Sequence, residues 1–162
     1  MHVFNRERLK VFFKFLSIIF IFFVSSPSIA HQFQKENINI NHPHIKFTIS
    51  SGPAAGYMTI VNMGDKADKL LNIEVDFAAA ELHLSEINDG IVSMNKVDFI
   101  EIPAQIAKSL KPGGSHVMFS KFNIELIDES ELIGVLNFEL AGEIKVVFEV
   151  ETQKYKDDFT EH

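Results

Sequence analysis

Residues 136–151 read LNFELAGEIKVVFEVE, and this stretch alternates apolar and polar side chains on both sides of a short turn. The apolar positions are two residues apart in each half: Leu136, Phe138 and Leu140, then Ile144, Val146, Phe148 and Val150. A period of two is typical of β-strands that bury one face. The residues between the halves, 141–143, have the composition of a turn. The stretch therefore predicts a β-hairpin that packs one side on a core.

The rest of the chain follows the same pattern. Apolar residues alternate with polar ones at Leu71, Ile73, Val75 and Phe77, and residues 55–61 are apolar on both faces, which indicates a central strand. Turn residues recur at 51–53, 64–65, 88–90 and 112–114. Residues 77–87 have helix-forming alanines, but their apolar alternation favours a strand. Many short strands joined by turns predict an all-β antiparallel sandwich.

Composition excludes several classes of protein. The chain has 162 residues and a formal net charge of −7, which suits one domain plus a leader without affinity for nucleic acid. It has no cysteine. Disulfides, thiol catalysis, cysteine-ligated zinc, iron–sulfur clusters and the cysteine-ligated copper of electron-transfer cupredoxins are thereby excluded. No nucleophile–base pair is evident, and we predict that the protein is not an enzyme.

The first thirty residues have the three parts of a secretory signal. Basic residues come first, an apolar core follows at 15–24, and Ser28-Ile29-Ala30 is a small-residue cleavage site. The alternative is a retained membrane anchor, but a span needs about 20 apolar residues. No cysteine follows the apolar core to carry a lipid. We therefore expect an exported, periplasmic protein with no membrane anchor after cleavage.

The rest of the chain divides into a flexible polar arm over 31–44, a folded domain over 45–151 and a charged tail over 152–162. Three histidines lie in the arm: His31, His42 and His44. Cleavage after Ala30 would make His31 the terminal residue, whose amine and imidazole could chelate Cu(II). The alternative is a solvated arm that binds no metal, and the lack of any fixed geometry favours it.

Four residues stand out by their spacing and by the chemistry of their side chains: His83, Met94, His116 and Met118. Thioether sulfur and imidazole suit Cu(I) better than calcium or magnesium. The last two residues are two apart, so their side chains share one face of a strand. A two-residue loop at Asn88-Asp89 would place His83 opposite Met94. The alternative is that these four side chains only fill the core or face water.

The spacing His83-x10-Met94-x21-His116-x-Met118 resembles the copper motif of the periplasmic copper chaperones called PCuAC. Residues 54–65 and 110–118 resemble the family's early strand and its second ligand segment, and the similarity runs from about Lys46 to Glu151. The resemblance implies a cupredoxin-like, Greek-key β-sandwich that holds one Cu(I) on these four ligands. It also implies delivery of copper towards the dinuclear centre of cytochrome oxidase, with subunit II or a Sco-type protein as partner.

Two classes of function follow from these observations. The first is an exported, monomeric Cu(I) carrier that passes its metal to an acceptor by ligand exchange. The second is an exported β-sandwich module for adhesion or assembly, without a functional metal site.

Overall fold

A computed structural model describes residues 32–88 and 91–153. Eleven strands make up these ranges: β1 Gln32–Lys35, β2 Ile38–Phe47, β3 Ala54–Asn62, β4 Asp68–Val75, β5 Ala79–Asn88, β6 Ile91–Lys96, β7 Ile100–Ile102, β8 Ile106–Leu110, β9 Ser115–Ser120, β10 Glu131–Phe138 and β11 Gly142–Thr152. Nowhere in these ranges is there a helix with the length and apolar character needed to cross a membrane. The predicted signal peptide (1–30), His31 and residues 154–162 of the predicted tail lie outside the described residues.

The strands form one sheet in the order β6-β5-β9-β3-β2-β11-β10-β4-β7, with β1 also paired to β2 and β8 to β3. All neighbours are antiparallel except β2 and β11, which run parallel. Strand β4 also lies against β5, and β7 against β8, so the sheet curls around its apolar side. Side chains from strands across the sheet fill this core, including Ile40, Ile60, Leu70, Phe119 and Phe148. The predicted all-β, mostly antiparallel architecture is confirmed.

The predicted hairpin is present as β10 and β11, with Phe138 paired to Gly142. Its second strand buries the expected side chains: Ile144, Val146, Phe148 and Val150. Leu140 differs from the pattern and is 57% exposed, because β10 ends at Phe138. The predicted strand over 77–87 is also confirmed, as β5.

Strand β4 buries a different leucine from the one that the pattern predicts. Leu70 is fully buried and Leu71 is exposed. The pairing with β10 shifts between Asn137 and Phe138, so that Phe138 pairs with Leu70 and leaves Leu71 as an extra residue. Such a bulge changes which face the side chains occupy.

The prediction of a flexible polar arm over 31–44 is wrong for the residues that the structure describes. Strand β1 pairs with the first half of β2, which continues into the folded domain without a break. A bulge between Asn41 and His44 adds one residue to β2. The buried side chains therefore change from even to odd numbers: Ile38 and Ile40 before the bulge, Ile45 and Phe47 after it. Because the bulge interrupts the alternation of buried and exposed residues, the sequence pattern does not indicate a single strand here.

Candidate metal centre

The two predicted histidine ligands face each other on adjacent strands. His83 of β5 pairs directly with His116 of β9, and their ring centroids are 5.9 Å apart. Met118, two residues further along β9, pairs with Glu81. Because directly paired residues point to the same face of a sheet, His83, His116 and Met118 share one face.

Met94 lies on the same face, but not where the predicted loop places it. It pairs with Ser85, while His83 pairs with Lys96, so the predicted pairing of His83 with Met94 is wrong. The register differs by two residues, and an even shift leaves each side chain on its original face. Met94 is thus diagonal to His83, a relation that separates Cα atoms by about 7–8 Å. It lies on the edge strand β6 and is 48% exposed.

Each histidine keeps one ring nitrogen buried and without a hydrogen-bond partner: Nδ1 of His83 and Nε2 of His116. The Nδ1 of His116 lies 3.0 Å from the carbonyl oxygen of Gly114. A carbonyl only accepts, so Nδ1 donates and Nε2 keeps a free lone pair. A buried polar atom without a partner costs free energy, and metal coordination is one way to satisfy it. The two imidazoles are therefore suited to bind one ion between them.

The outer nitrogen of His83 faces a charged pair. Its Nε2 lies 3.5 Å from Oε2 of Glu81, while Nζ of Lys96 donates to Oε1 of Glu81 at 2.6 Å. The hydrogen bond from Lys96, and after it that from His83, lower the pKa of Glu81. A carboxylate beside the outer nitrogen of a metal-binding histidine fixes the orientation of the ring. It also raises the basicity of the other nitrogen, which then binds a metal more strongly. Glu81 is not among the predicted site residues, and its position two residues from His83 on the same strand face is the signal that points to it.

The turn at residues 112–114, before β9, makes hydrogen bonds to both strands that carry the histidine pair, β5 and β9. Gly113 has a φ of 74°, a left-handed conformation that glycine adopts without strain. The carbonyl of Gly114 accepts the bond from His116 and also the backbone N–H of Ser85 at 3.1 Å. The prediction of a tight turn at 112–114 is confirmed, and this turn fixes the position of the His116 ring.

A row of rings continues from the site across the same face. Tyr57 of β3 lies 6.4 Å from His116 and 5.6 Å from His44, and His44 lies 4.5 Å from His42, all measured between centroids. Burial raises the pKa of the Tyr57 phenol, which favours its neutral form. The histidines of this row are among the predicted candidates, and Tyr57 is not.

Solved structures similar to this chain include copper-binding domains. The copper-bound PCuAC domain from PmoF2 superposes with a TM-score of 0.64 at 27% identity, covering 75% of this chain and 98% of that one. The apo PCuAC domain from PmoF1 gives 0.64 at 25% identity, with coverages of 75% and 99%. For Cu(I)-DR1885 from Deinococcus radiodurans, the TM-score is 0.58 at 21% identity, with coverages of 78% and 83%. The predicted cupredoxin-like fold and the resemblance to PCuAC domains are confirmed.

No curated protein matches the chain. The model of the LpqE-like family, described as lipoprotein LpqE-like, matches residues 38–150. This range starts with the first residue of β2 and reaches into β11, so it covers most of the folded domain. The chain therefore belongs to the LpqE-like family.

Proposed function

We propose that this protein is an exported Cu(I) carrier whose ligands are His83, Met94, His116 and Met118. The observation that carries the proposal is the pair of facing imidazoles, each with a buried nitrogen that has no partner. Two thioethers on the same face complete a neutral, soft ligand set that suits Cu(I). Two of the similar structures, the PmoF2 domain and Cu(I)-DR1885, were solved with copper, which supports the same metal here.

Copper is the cargo of this site, and its release needs no change of oxidation state. A ligand of the acceptor binds the ion while one ligand of the carrier leaves, so each step breaks one metal–ligand bond and forms another. Met94 suits the role of first leaving ligand because it lies on an edge strand and is half exposed. His116 is buried and held by Gly114, so it suits the role of the last contact.

The acceptor is proposed to be a copper protein of the respiratory chain. Subunit II of cytochrome oxidase, at its dinuclear copper centre, or a Sco-type protein would receive the ion from a monomeric carrier in the periplasm. The leader at 1–30 and the description of the family as lipoproteins support export. Catalysis forms no part of this proposal.

The competing function is an exported adhesion or assembly module in which these side chains only pack. Packing alone gives no account of the two buried nitrogens, since buried polar atoms nearly always have a partner. This observation favours the carrier.

An anaerobic titration of Cu(I) into the full chain, in competition with a chromophoric chelator, tests the site. We expect one Cu(I) per chain, and binding at least ~10-fold weaker in the double variant His83→Ala/Met118→Ala. The matched control His162→Ala/Met63→Ala removes one histidine and one methionine that belong to neither proposed site and should bind like the parent. No competition by the parent, or equal weakening in both variants, would overturn the site.

Transfer is tested separately. The Cu(I)-loaded protein is mixed with the apo form of the acceptor's copper domain, the two are separated, and copper is measured in each. Movement of the metal to the acceptor is expected. Retention of all copper by the carrier, with a functional acceptor that binds free Cu(I), would rule out this acceptor.

A further inference from the structure

Two histidines and a glutamate form a second cluster on the face that carries the Cu(I) ligands. His42 and His44 belong to β2 and Glu151 to the neighbouring β11, and one ligand atom of each lies within 4.8 Å of the others. Nε2 of His42 is 3.8 Å from Oε1 of Glu151. The parallel pairing of β2 with β11 creates this arrangement, because it sets Glu151 opposite Lys46, two residues beyond His44.

The bulge in β2 fixes the two histidines. His42 has a φ of 50°, in the left-handed region that histidine enters more readily than most residues. Pro43, the next residue, is buried. Nδ1 of His44 lies 2.9 Å from the carbonyl oxygen of His42 and must donate to it, which leaves Nε2 of His44 with a free lone pair. Residues 42–44 therefore have a defined conformation and are not part of a solvated arm.

The chemistry of this ligand set differs from that of the His/Met site. Two imidazoles and a carboxylate combine borderline and hard donors, and they add one negative charge. Such a set favours divalent transition ions over Cu(I), and divalent copper binds most tightly among the first-row ions. Lys46 lies 3.4 Å from Oε2 of Glu151, so Oε1 is the oxygen that faces His42 and can take the metal.

We propose that His42, His44 and Glu151 form a second metal site, which binds Cu(II). This site is independent of the proposed Cu(I) site and goes beyond the proposed function. Tyr57 lies between them, with its ring 5.6 Å from His44 and 6.4 Å from His116. One face of the sheet thus presents two sites that differ in the oxidation state of copper that they select.

The test is a titration of Cu(II) into the full chain, followed by competition with a weak chelator and by pulsed EPR for imidazole nitrogens. It is carried out in the His83→Ala/Met118→Ala variant, which removes the other site from the measurement. Adding His42→Asn/His44→Gln should weaken Cu(II) binding at least ~10-fold and remove the imidazole signal. Asparagine tolerates the left-handed backbone at residue 42, so this change spares the fold. Glu151→Gln should also weaken binding.

The control His31→Ala separates this cluster from chelation by the segment before β1. It should leave both the affinity and the EPR signal unchanged. Equal Cu(II) binding with and without His42 and His44, or loss of the signal in His31→Ala alone, would overturn the proposal. To check folding, the substitutions His42→Asn/His44→Gln are also made in a chain that keeps His83 and Met118, and this variant is titrated with Cu(I). A native-like Cu(I) curve together with lost Cu(II) binding supports the second site, whereas failure of the Cu(I) titration in the parent bears only on the proposed carrier function.

Discussion

Two contacts decide which nitrogen each histidine of the His83–His116 pair presents to a metal. The carbonyl of Gly114 accepts a hydrogen bond from Nδ1 of His116, and the carboxylate of Glu81 lies beside Nε2 of His83. The four proposed ligand residues follow from spacing and donor type in the sequence. The contacts that hold the two rings cannot be predicted in this way. A backbone carbonyl and a strand glutamate have no distinctive sequence pattern, and their positions are known only once the strand register is known.

Replacing Glu81 with glutamine is expected to weaken Cu(I) binding about 10-fold, since outer contacts of ligand histidines typically contribute 10–100-fold and this one is long and exposed. Glu86→Gln is the matched control, because it makes the same change on the same strand but on the opposite face. Competition titrations with a Cu(I) chelator measure both. Equal affinities for the two variants would show that Glu81 does not orient the ligand.

Met94→Leu should reduce Cu(I) affinity and leave the free energy of unfolding within about 0.5 kcal/mol of the parent, as for other surface substitutions. The thioether is lost while the half-exposed side chain contributes little to packing. Met63→Leu is the control, because Met63 and Met94 are 46% and 48% exposed. Cu(I) titration and urea unfolding of both variants check this, and an unchanged affinity for Met94→Leu would remove Met94 from the ligand set.

The register of the strands is the feature of the fold that the sequence predicts least well. The residues paired nearest the β5–β6 turn are Asn88 and Ile91, one position later than a loop at Asn88-Asp89 requires. Asp-Gly and Asn-Gly are the favoured hairpin dipeptides, and the sequence NDG also contains the first of them. The observed register differs from the predicted one by two residues, and an even shift leaves the four proposed ligands on one face of the sheet. In β2 the bulge shifts the alternation of buried side chains by one residue, and the sequence pattern there predicts a flexible arm instead of a strand.

Gly56 of β3 leaves space for the ring of Phe119. A Cβ at this position would lie 2.6 Å from Cε2 of that ring, and the ring is fixed between Phe77 and Phe148. Gly56→Ala should therefore destabilise the protein by about 1–3 kcal/mol, the usual cost of overpacking a core. Urea unfolding gives the value.

Gly114→Ala is the control for that change, because its Cβ would meet nothing closer than 3.7 Å. We expect it to unfold close to the parent. If Gly56→Ala were as stable as Gly114→Ala, the core around Phe119 would have to be looser than the structure indicates.

Alternation and turn residues are sufficient to predict an all-β domain. They could not predict that one parallel pair joins the first long strand to the last, because that contact links residues about a hundred positions apart. The same contact assembles the cluster of His42, His44 and Glu151. Long-range pairing is the information that local patterns lack.

Cu(I) should stabilise the folded chain, because the four proposed ligands converge only when β5, β6 and β9 are paired. With free Cu(I) at 100 times the dissociation constant, the gain is about 2.7 kcal/mol. Anaerobic urea unfolding with and without buffered Cu(I) measures it. The His83→Ala/Met118→Ala variant should gain far less at the same free copper. Equal gains in the two proteins would place the stabilising copper elsewhere.

The parallel pairing of β2 with β11 also determines how the domain would respond to tension. Strands β1 and β11 share the edge of β2 that faces away from β3. If the two ends of the chain were pulled apart, β1 would peel from β2 one hydrogen bond at a time. The force would then act along β2 and β11 in opposite directions, so that their bonds would bear the load together. Forced unfolding is governed by the unfolding rate. Because the hydrogen bonds between β2 and β11 must break together, we expect this parallel strand pair to set the resistance of the domain to stretching.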